Sequence, residues 1–170
     1  MAGQTDTRVT PSNLADLCES VRNAKEQGFS VTSGGSANTS GILLSVEKLS
    51  KVEVDEAAGV VRAGAGALLT TLRSAIAKSD LAIPGLAEAV RSERVGSLLA
   101  RGEIARRGIC GIEAVLSDGE VVRHGGAIQK DVAGYDIASA LLGSHGRLAV
   151  ITEVIFRLFP VKAGVDEIVE

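Results

Sequence analysis

The sequence predicts an α+β fold, and three observations lead to this class. Segments with apolar residues three and four apart, which indicate helices, alternate with short runs rich in Val and Ile, which are typical of strands. Glycine-containing turns separate several of these runs, the clearest being Asp118-Gly119. The 170 residues are 45% hydrophobic. A chain of this size buries enough apolar surface to form a core without disulfides.

The first half of the chain predicts a helix, two strands around a polar glycine loop, a hairpin and a second helix. Leu14, Leu17 and Val21 keep helical spacing, and Ser12 or Asn13 can cap that helix. The predicted elements are a helix over 11–28, strands over 29–32 and 42–45, a hairpin over 49–65 with its turn near 57–59, and a helix over 67–79.

The second half predicts a further hairpin, a short helix and a long strand. Residues 81–84 are expected to be extended, and 86–107 to be helical in part, with Gly96 and Gly102 as interruptions. The remaining predictions are a hairpin over 109–122 closed by a type I′ turn at Asp118-Gly119, a helix over 136–142 that ends at Gly143, and a strand over 148–159. Residues 148–151 are apolar at both parities, so burial on two faces is expected there.

Composition argues against several classes of function. The net charge is −3, and no basic stripe or polybasic arm indicates binding to nucleic acid or to a membrane surface. The first ten residues have no apolar core of a signal peptide, and the apolar runs are too short to span a bilayer. A cytoplasmic protein without membrane insertion is therefore expected.

Cysteine and histidine usage predicts neither a metal site nor a catalytic nucleophile. Cys18 and Cys110 lie far apart without a CxxC motif, so buried free thiols are expected. His124 and His145 have no partner at the spacing of a catalytic triad or a metal site. No catalytic residue is assigned, and any difficult chemistry is expected to belong to a bound cofactor.

A basic stretch in the middle of the chain has two interpretations. It is either a solvated loop and helix face, or a site for an anionic ligand or an acidic partner. Its members are Arg91, Arg94, Arg101, Arg106 and Arg107.

The loop over 33–41, with sequence SGGSANTSG, is the first candidate site. Its glycines leave successive backbone N–H groups free to hold phosphate oxygens, and its hydroxyl and amide side chains add donors. A mobile polar surface loop is the alternative. The pattern matches neither the Walker loop nor the G-x-G-x-x-G fingerprint. Two other candidates are 125–136, which holds the single tyrosine Tyr135, and the turn 143–146.

The segments 125–136 (GGAIQKDVAGYD), 142–154 (LGSHGRLAVITEV) and 158–160 (LFP) resemble the FAD-linked subunits of glycolate oxidase, and most closely the smaller flavin-domain subunit. The run from Lys130 to Asp136 is the clearest part of this signature. The wider group is the vanillyl-alcohol oxidase and p-cresol methylhydroxylase (PCMH) superfamily. The order of the predicted elements also fits, so the resemblance covers nearly the whole chain.

The resemblance implies a PCMH-type FAD-binding domain of two small α/β lobes, shortened and without the C-terminal cap domain. The expected domain covers 1–165, with one lobe over about 1–66, the other over about 67–165, and a tail over 166–170. FAD would bind non-covalently between the lobes, because no histidine stands in the loop that tethers FAD in some members.

The implied cofactor-binding residues fall in three segments. The phosphate loop corresponds to residues 33–40, a second flavin-contacting segment to 95–98, and the strand at the adenine end to 146–151. The residues assigned to FAD on this basis are Ser33, Gly34, Gly35, Ser36, Ala37, Asn38, Thr39, Ser40, Val95, Gly96, Ser97, Gly146, Val150 and Ile151.

Two functions are compared at this point. The first is an FAD-binding module of a flavin-linked oxidoreductase, as one subunit of a 2-hydroxy-acid (glycolate-type) oxidase or dehydrogenase. A larger flavoprotein or an iron–sulfur subunit, or self-association, would complete it. The alternative is a scaffold subunit that keeps the fold without binding flavin. It is motivated by the segment 84–108, which is shorter than in the family and has Gly96-Ser97 where a double glycine is usual.

Overall fold

The computed structural model describes residues 7–33, 41–84, 86, 93–126 and 136–160, and its elements confirm the α+β class. In chain order they are β1 (Thr7–Val9), α1 (Leu14–Ala24), β2 (Phe29–Thr32), β3 (Ile42–Ser45), β4 (Val52–Asp55), β5 (Val60–Gly64), α2 (Leu69–Ile76), β6 (Leu81–Ala82), α3 (Val95–Arg101), a 3₁₀ turn (Arg106–Gly108), β7 (Ile109–Val115), β8 (Val121–Gly125), α4 (Ile137–Leu141), β9 (Val150–Arg157) and β10 (Phe159–Pro160).

A small parallel sheet holds the first strands in the order β1-β3-β2. Helix α1 contacts β3 and buries Leu17 and Val21 completely. The helix begins after Asn13, whose side-chain oxygen accepts a hydrogen bond from the Asp16 N–H at 3.0 Å. Asn13 is thus the cap of the two that the sequence allowed, since this bond satisfies one of the free N–H groups of the first turn.

The larger sheet has five antiparallel strands in the order β4-β5-β9-β7-β8. Its middle strand β9 is buried on both faces, and Val154 and Phe156 have no exposed surface. The predicted two-sided burial is confirmed for Ala149, Val150 and Ile151. It is wrong for Leu148, which lies outside β9 and is 57% exposed.

The connection between β7 and β8 is a three-residue loop, not the predicted type I′ turn. A type I′ turn needs a positive φ at both central residues. Gly119 has a φ of +80°, whereas Asp118 does not enter that region. The Leu116 N–H instead donates to the Glu120 carbonyl at 2.8 Å across the loop, and β8 continues to Gly125, beyond the predicted end at 122.

Helix α3 corrects the interpretation of Gly96 as an interruption. Gly96 lies in the first turn of α3, and only Gly102, with a φ of +73°, ends the helix. Glycine is a poor helix former in isolation. Here it is required by packing, because a Cβ on Gly96 would stand 2.9 Å from the Ala65 carbonyl oxygen.

The chain passes from the three-stranded to the five-stranded sheet before residue 66, near which the lobe boundary is predicted, and a third sheet pairs β6 with β10. Strands β4 and β5, which precede residue 66, belong to the large sheet, and Val61 pairs with Phe156 of β9. By sheet membership the change therefore falls between Ser45 and Val52. One connected hydrophobic core spans both sheets. The domain bounds themselves stay a prediction.

Candidate functional site

A cavity of about 230 Å³ lies where β2, α3 and the turn before β9 meet. Four segments of the chain supply its walls, the fourth being the single residue Val46 after β3. The lining residues are Val31, Thr32, Ser33, Val46, Gly96, Ser97, Ala100, Arg101, His145, Gly146, Ala149 and Ile151.

The structure brings together one or more members of each predicted cofactor-binding segment. Ser33, Gly96, Ser97, Gly146 and Ile151 all line the cavity. The other described members, Val95 and Val150, are buried in the core and do not line it. The rest of the phosphate loop, residues 34–40, lies outside the described residues.

A hydrogen bond between two hydroxyls connects the end of β2 to the first turn of α3. The Ser33 and Ser97 Oγ atoms are in direct contact, and Ser33 is only 8% exposed. Each hydroxyl can donate one proton and accept two. This pair therefore retains unused acceptor capacity at the cavity wall, where a ligand can be held.

Gly96 allows α3 to approach the end of β5 closely. The Gly96 N–H donates to the Ala65 carbonyl at 2.7 Å. A Cβ at this position would stand 3.0 Å from the Ala65 Cβ and 3.3 Å from the Ser33 Cβ. Because a side chain has no room here, backbone and small polar groups form this part of the wall.

The turn from Gly143 to Gly146 forms the opposite wall. His145 adopts a positive φ of 53°, which is uncommon for a residue other than glycine, and Gly146 follows with 73°. The His145 N–H donates to the Ala100 carbonyl at 2.9 Å. A Cβ on Gly146 would lie 3.5 Å from the Val31 Cβ, so this glycine packs against β2.

Ala100 and Arg101 also line the cavity, although the first was not predicted and the second was predicted only as a member of the basic stretch. Both lie in α3, three and four positions after Ser97. Residues at that spacing share one face of a helix. Once Ser97 had been assigned, the helical repeat was therefore a signal that could have identified them.

Arg101 supplies a permanent charge in the lining, and two carboxylates bind it. Its Nε donates to Glu103 at 2.6 Å, and Nη2 contacts Glu93. The hydrogen bonds to Glu103 and then to Glu93 raise the pKa of Arg101 further above its usual range. Because both of its partners are carboxylates of the same chain, Arg101 fits the first interpretation of the basic stretch, a solvated helix face, better than a site for an anionic ligand.

Of the signature from Lys130 to Asp136, only Asp136 is described. Its carboxylate accepts hydrogen bonds from Arg106 Nε at 3.0 Å and Nη2 at 2.8 Å, and it caps α4 through the Ser139 N–H. His124 Nε2 lies 3.8 Å from the same carboxylate. The hydrogen bonds from Arg106 and then from Ser139 hold the pKa of Asp136 well below its usual range.

The described part of the chain holds neither a candidate metal centre nor a candidate membrane span. Within those ranges, His, Cys, Asp and Glu do not gather in groups of three that would bind a metal ion. None of the helices found there has the length and apolar character needed to cross a bilayer.

The fold and this cavity define an FAD-binding domain. Residues 5–125 match the model of the family described as the FAD binding domain. The chain belongs to this family, and FAD is the cofactor that membership assigns. The resemblance to FAD-linked glycolate oxidase subunits is confirmed as well.

Curated relatives are 27–34% identical to the chain over the aligned residues. An uncharacterized FAD-linked oxidoreductase of Mycobacterium tuberculosis is 34% identical over 169 residues, which cover 89% of this chain and 36% of the relative. A D-lactate dehydrogenase of Archaeoglobus fulgidus is 34% identical, with 89% and 38% covered. The glycolate oxidase subunit GlcD of Bacillus subtilis is 27% identical, with 78% and 30% covered. The chain thus spans about a third of the length of these relatives.

A solved structure shows the same fold. A variant of Phl p 4, a glucose oxidase, superposes with a TM-score of 0.74 at 23% identity, covering 91% of this chain and 35% of that one.

The residues around the cavity fit part of a flavin dinucleotide. The walls offer a hydroxyl pair and close-packed glycine backbone, which suit a ligand with sugar and phosphate groups. At about 230 Å³ the cavity is smaller than typical small-molecule sites, which start at roughly 300 Å³.

Proposed function

We propose that the chain is the FAD-binding module of an oxidoreductase that acts on a 2-hydroxy acid of the glycolate type. The observation that supports the site is the convergence of Ser33, Gly96-Ser97 and the strand from Gly146 on one cavity. The substrate class rests on the relatives, of which one is named a D-lactate dehydrogenase and another a glycolate oxidase subunit.

In this proposal the three segments divide the cofactor between them. Residues 33–40 hold the diphosphate through backbone N–H groups and hydroxyls. Gly96 and Ser97 position the dinucleotide against β2, and Gly146 and Ile151 form the adenine end. The buried Val95 and Val150 support these residues from the core. Binding is non-covalent, since residues 33–40 include no histidine. Bound FAD supplies the electron acceptor, and no residue of this chain is assigned a catalytic role.

The substrate pocket belongs to another part of the assembly. A larger flavoprotein or an iron–sulfur subunit would provide it, or a second copy of the chain would. This part of the proposal is supported by the relative that is named a subunit, and by the cavity walls, whose two ionisable groups are Arg101 and His145. Arg101 is already occupied by Glu93 and Glu103.

FAD binding is tested with a substitution that fills the cavity. Ala100→Leu places a larger side chain in the wall, while the helix keeps a residue that favours it. We expect the dissociation constant for FAD to rise about tenfold or more, equivalent to a loss of at least about 1.4 kcal/mol. The measurement is a titration of the apoprotein followed by flavin fluorescence.

The matched control is Ala15→Leu, the same change at an exposed position of α1. It should leave the FAD dissociation constant unchanged. A wild-type protein that is colourless after purification, and whose melting temperature ignores added FAD, would contradict the proposal.

A wild-type protein that does not bind FAD would instead favour the scaffold hypothesis. A scaffold that does not bind flavin predicts stable association with a larger flavoprotein whose activity survives Gly35→Asp in the phosphate loop. Loss of both bound FAD and activity in that variant would exclude the scaffold.

The substrate class has its own test in the complex purified through a tagged chain. Under anaerobic conditions, glycolate and D-lactate should bleach the flavin absorbance, whereas acetate and propionate, which lack the hydroxyl, should not. Bleaching by neither hydroxy acid would contradict the substrate assignment and leave FAD binding unaffected.

A further inference from the structure

Two chain segments form facing walls of the cavity. Helix α3 contributes Gly96, Ser97, Ala100 and Arg101, and the turn before β9 contributes His145 and Gly146. The width of the cavity between them therefore depends on how the C-terminal end of α3 meets that turn.

Backbone hydrogen bonds attach the turn to the helix. The Gly143 N–H donates to the Leu99 carbonyl at 3.0 Å, and the His145 N–H donates to the Ala100 carbonyl at 2.9 Å. The last four carbonyls of a helix have no partner within it. The turn donates to two of these four, and the Leu99 carbonyl also accepts from the Gly102 N–H at 3.1 Å. The helix end and the turn therefore form one hydrogen-bonded unit.

These hydrogen bonds can form because the backbones of Gly102 and Gly143 come close together. Gly102 has a φ of +73°, and a Cβ on it would stand 3.3 Å from the Gly143 Cα and 3.4 Å from the Gly143 nitrogen. Gly143 has a φ of +74°, but a Cβ on that residue would be 3.9 Å from the Gly102 Cα, which is ordinary contact. At this crossing of the two glycine backbones, an added Cβ would therefore be crowded on Gly102 and would make only ordinary contacts on Gly143.

We propose that the close approach of Gly102 to Gly143 sets the spacing of the two cavity walls, which makes Gly102 a positioning residue for FAD. This inference rests on the proposed FAD site. Gly102 does not line the cavity, and it acts through the turn that holds His145 and Gly146 in place. A side chain at Gly102 would displace Gly143 and move these two residues relative to Ser97 and Ala100.

The first test compares Gly102→Ala with Gly59→Ala. Gly59 has a similar φ of +65°, and the nearest atom to an added Cβ there is 4.0 Å away. Both variants strain the backbone, but only Gly102→Ala alters the crossing. We expect similar losses in melting temperature, and an FAD dissociation constant that rises about tenfold in Gly102→Ala alone, because a preorganised site has been loosened.

A third variant separates backbone strain from close approach at the same position. Gly102→Asn accepts the left-handed φ more readily than alanine but retains the Cβ. FAD binding should stay weak in this variant. Wild-type affinity in Gly102→Asn, or equal affinities in Gly102→Ala and Gly59→Ala, would overturn the proposal.

If Gly102→Ala does not fold, Gly102→Asn is compared with Gly59→Asn, because asparagine tolerates the left-handed φ at both positions and only Gly102 has the close contact. We expect weaker FAD binding in Gly102→Asn alone, and equal affinities in the two variants would overturn the proposal. Failure of the wild-type protein to bind FAD would instead contradict the proposed function, so the two failures are distinguishable.

Discussion

At the residue scale, Asp136 shows how one carboxylate can hold several groups. It accepts from both the Nε and Nη2 atoms of Arg106, and it caps α4 through the Ser139 N–H. Such bidentate pairs fix geometry as well as charge. Because the side chain of Asp136 is 47% exposed, solvent reduces the free energy that the pair contributes to stability.

We expect Asp136→Asn to lower the free energy of unfolding by about 1 kcal/mol at neutral pH, since the amide can still cap the helix but loses the ion pair. The pKa of Asp136 is depressed in the folded protein. Its contribution is therefore present above the unfolded value of about 3.9 and is lost as the pH falls below it. Urea unfolding of both proteins at neutral and acid pH measures this difference.

The acid-induced loss of stability should be smaller in Asp136→Asn than in the wild type. Asp55→Asn is the control, because Asp55 accepts a backbone N–H from Ala58 at 2.9 Å without an arginine partner in the described part of the chain. Identical pH dependence in the wild type and Asp136→Asn would contradict the role of the ion pair.

At the element scale, the sequence predicted strands and capped helices better than it predicted glycines inside elements. Strands β2 and β3 match their predicted bounds, since alternating or continuous apolar runs depend on local composition. Gly96 was interpreted as an interruption because helix propensity, which depends on local sequence alone, is low for glycine. A glycine is required there because the Ala65 carbonyl lies too close for a side chain, and a local sequence pattern contains no information about a residue so distant in sequence.

We expect Gly96→Ala to destabilise the protein by about 1–3 kcal/mol even though alanine favours helices, because the new Cβ overlaps the Ala65 carbonyl. Ser74→Ala, at an exposed position in α2, is the control for helix propensity and should be neutral or slightly stabilising. The free energies of unfolding in urea decide this, and a stabilised Gly96→Ala would show that the packing contact is absent.

The candidate site was only partly predictable for the same reason. The resemblance identified Ser33, Gly96, Ser97, Gly146 and Ile151, which the fold gathers around one cavity. It did not identify Thr32 or Val46, which join the wall only through the packing of β2 and of the residue that follows β3. Packing between segments that are distant in sequence produces no periodic pattern that a single sequence could show.

At the scale of the whole molecule, the two sheets are connected through α1. The Arg22 side chain donates to the Gly119 carbonyl at 3.4 Å, in the loop between β7 and β8. A Cβ on Gly119 would lie 2.8 Å from the Cys18 carbonyl oxygen. Helix α1 also contacts β3, so a single helix packs against both sheets.

We therefore expect the chain to unfold in one cooperative step, with the two sheets opening together. Cys18 in α1 and Cys110 in β7 are free thiols that report on the two regions. Cys110→Ser and Cys18→Ser variants leave one thiol each, and both thiols should become fully reactive at the same urea concentration. Complete reaction of Cys18 at a clearly lower concentration would show that the sheets unfold as separate units.

The contacts at Gly126 and Asp136 have a consequence for how the protein can evolve. The Gly126 N–H donates to the Cys110 carbonyl at 3.1 Å, and Asp136 binds Arg106, so the chain leaves and returns at the same short stretch, 106–110. These two contacts hold Gly126 and Asp136 in place, and they therefore fix the distance between the two residues. The entropic cost of closing a loop depends only weakly on its length. A change in the number of residues between Gly126 and Asp136 is therefore expected to leave the register of β7 with β8 unchanged.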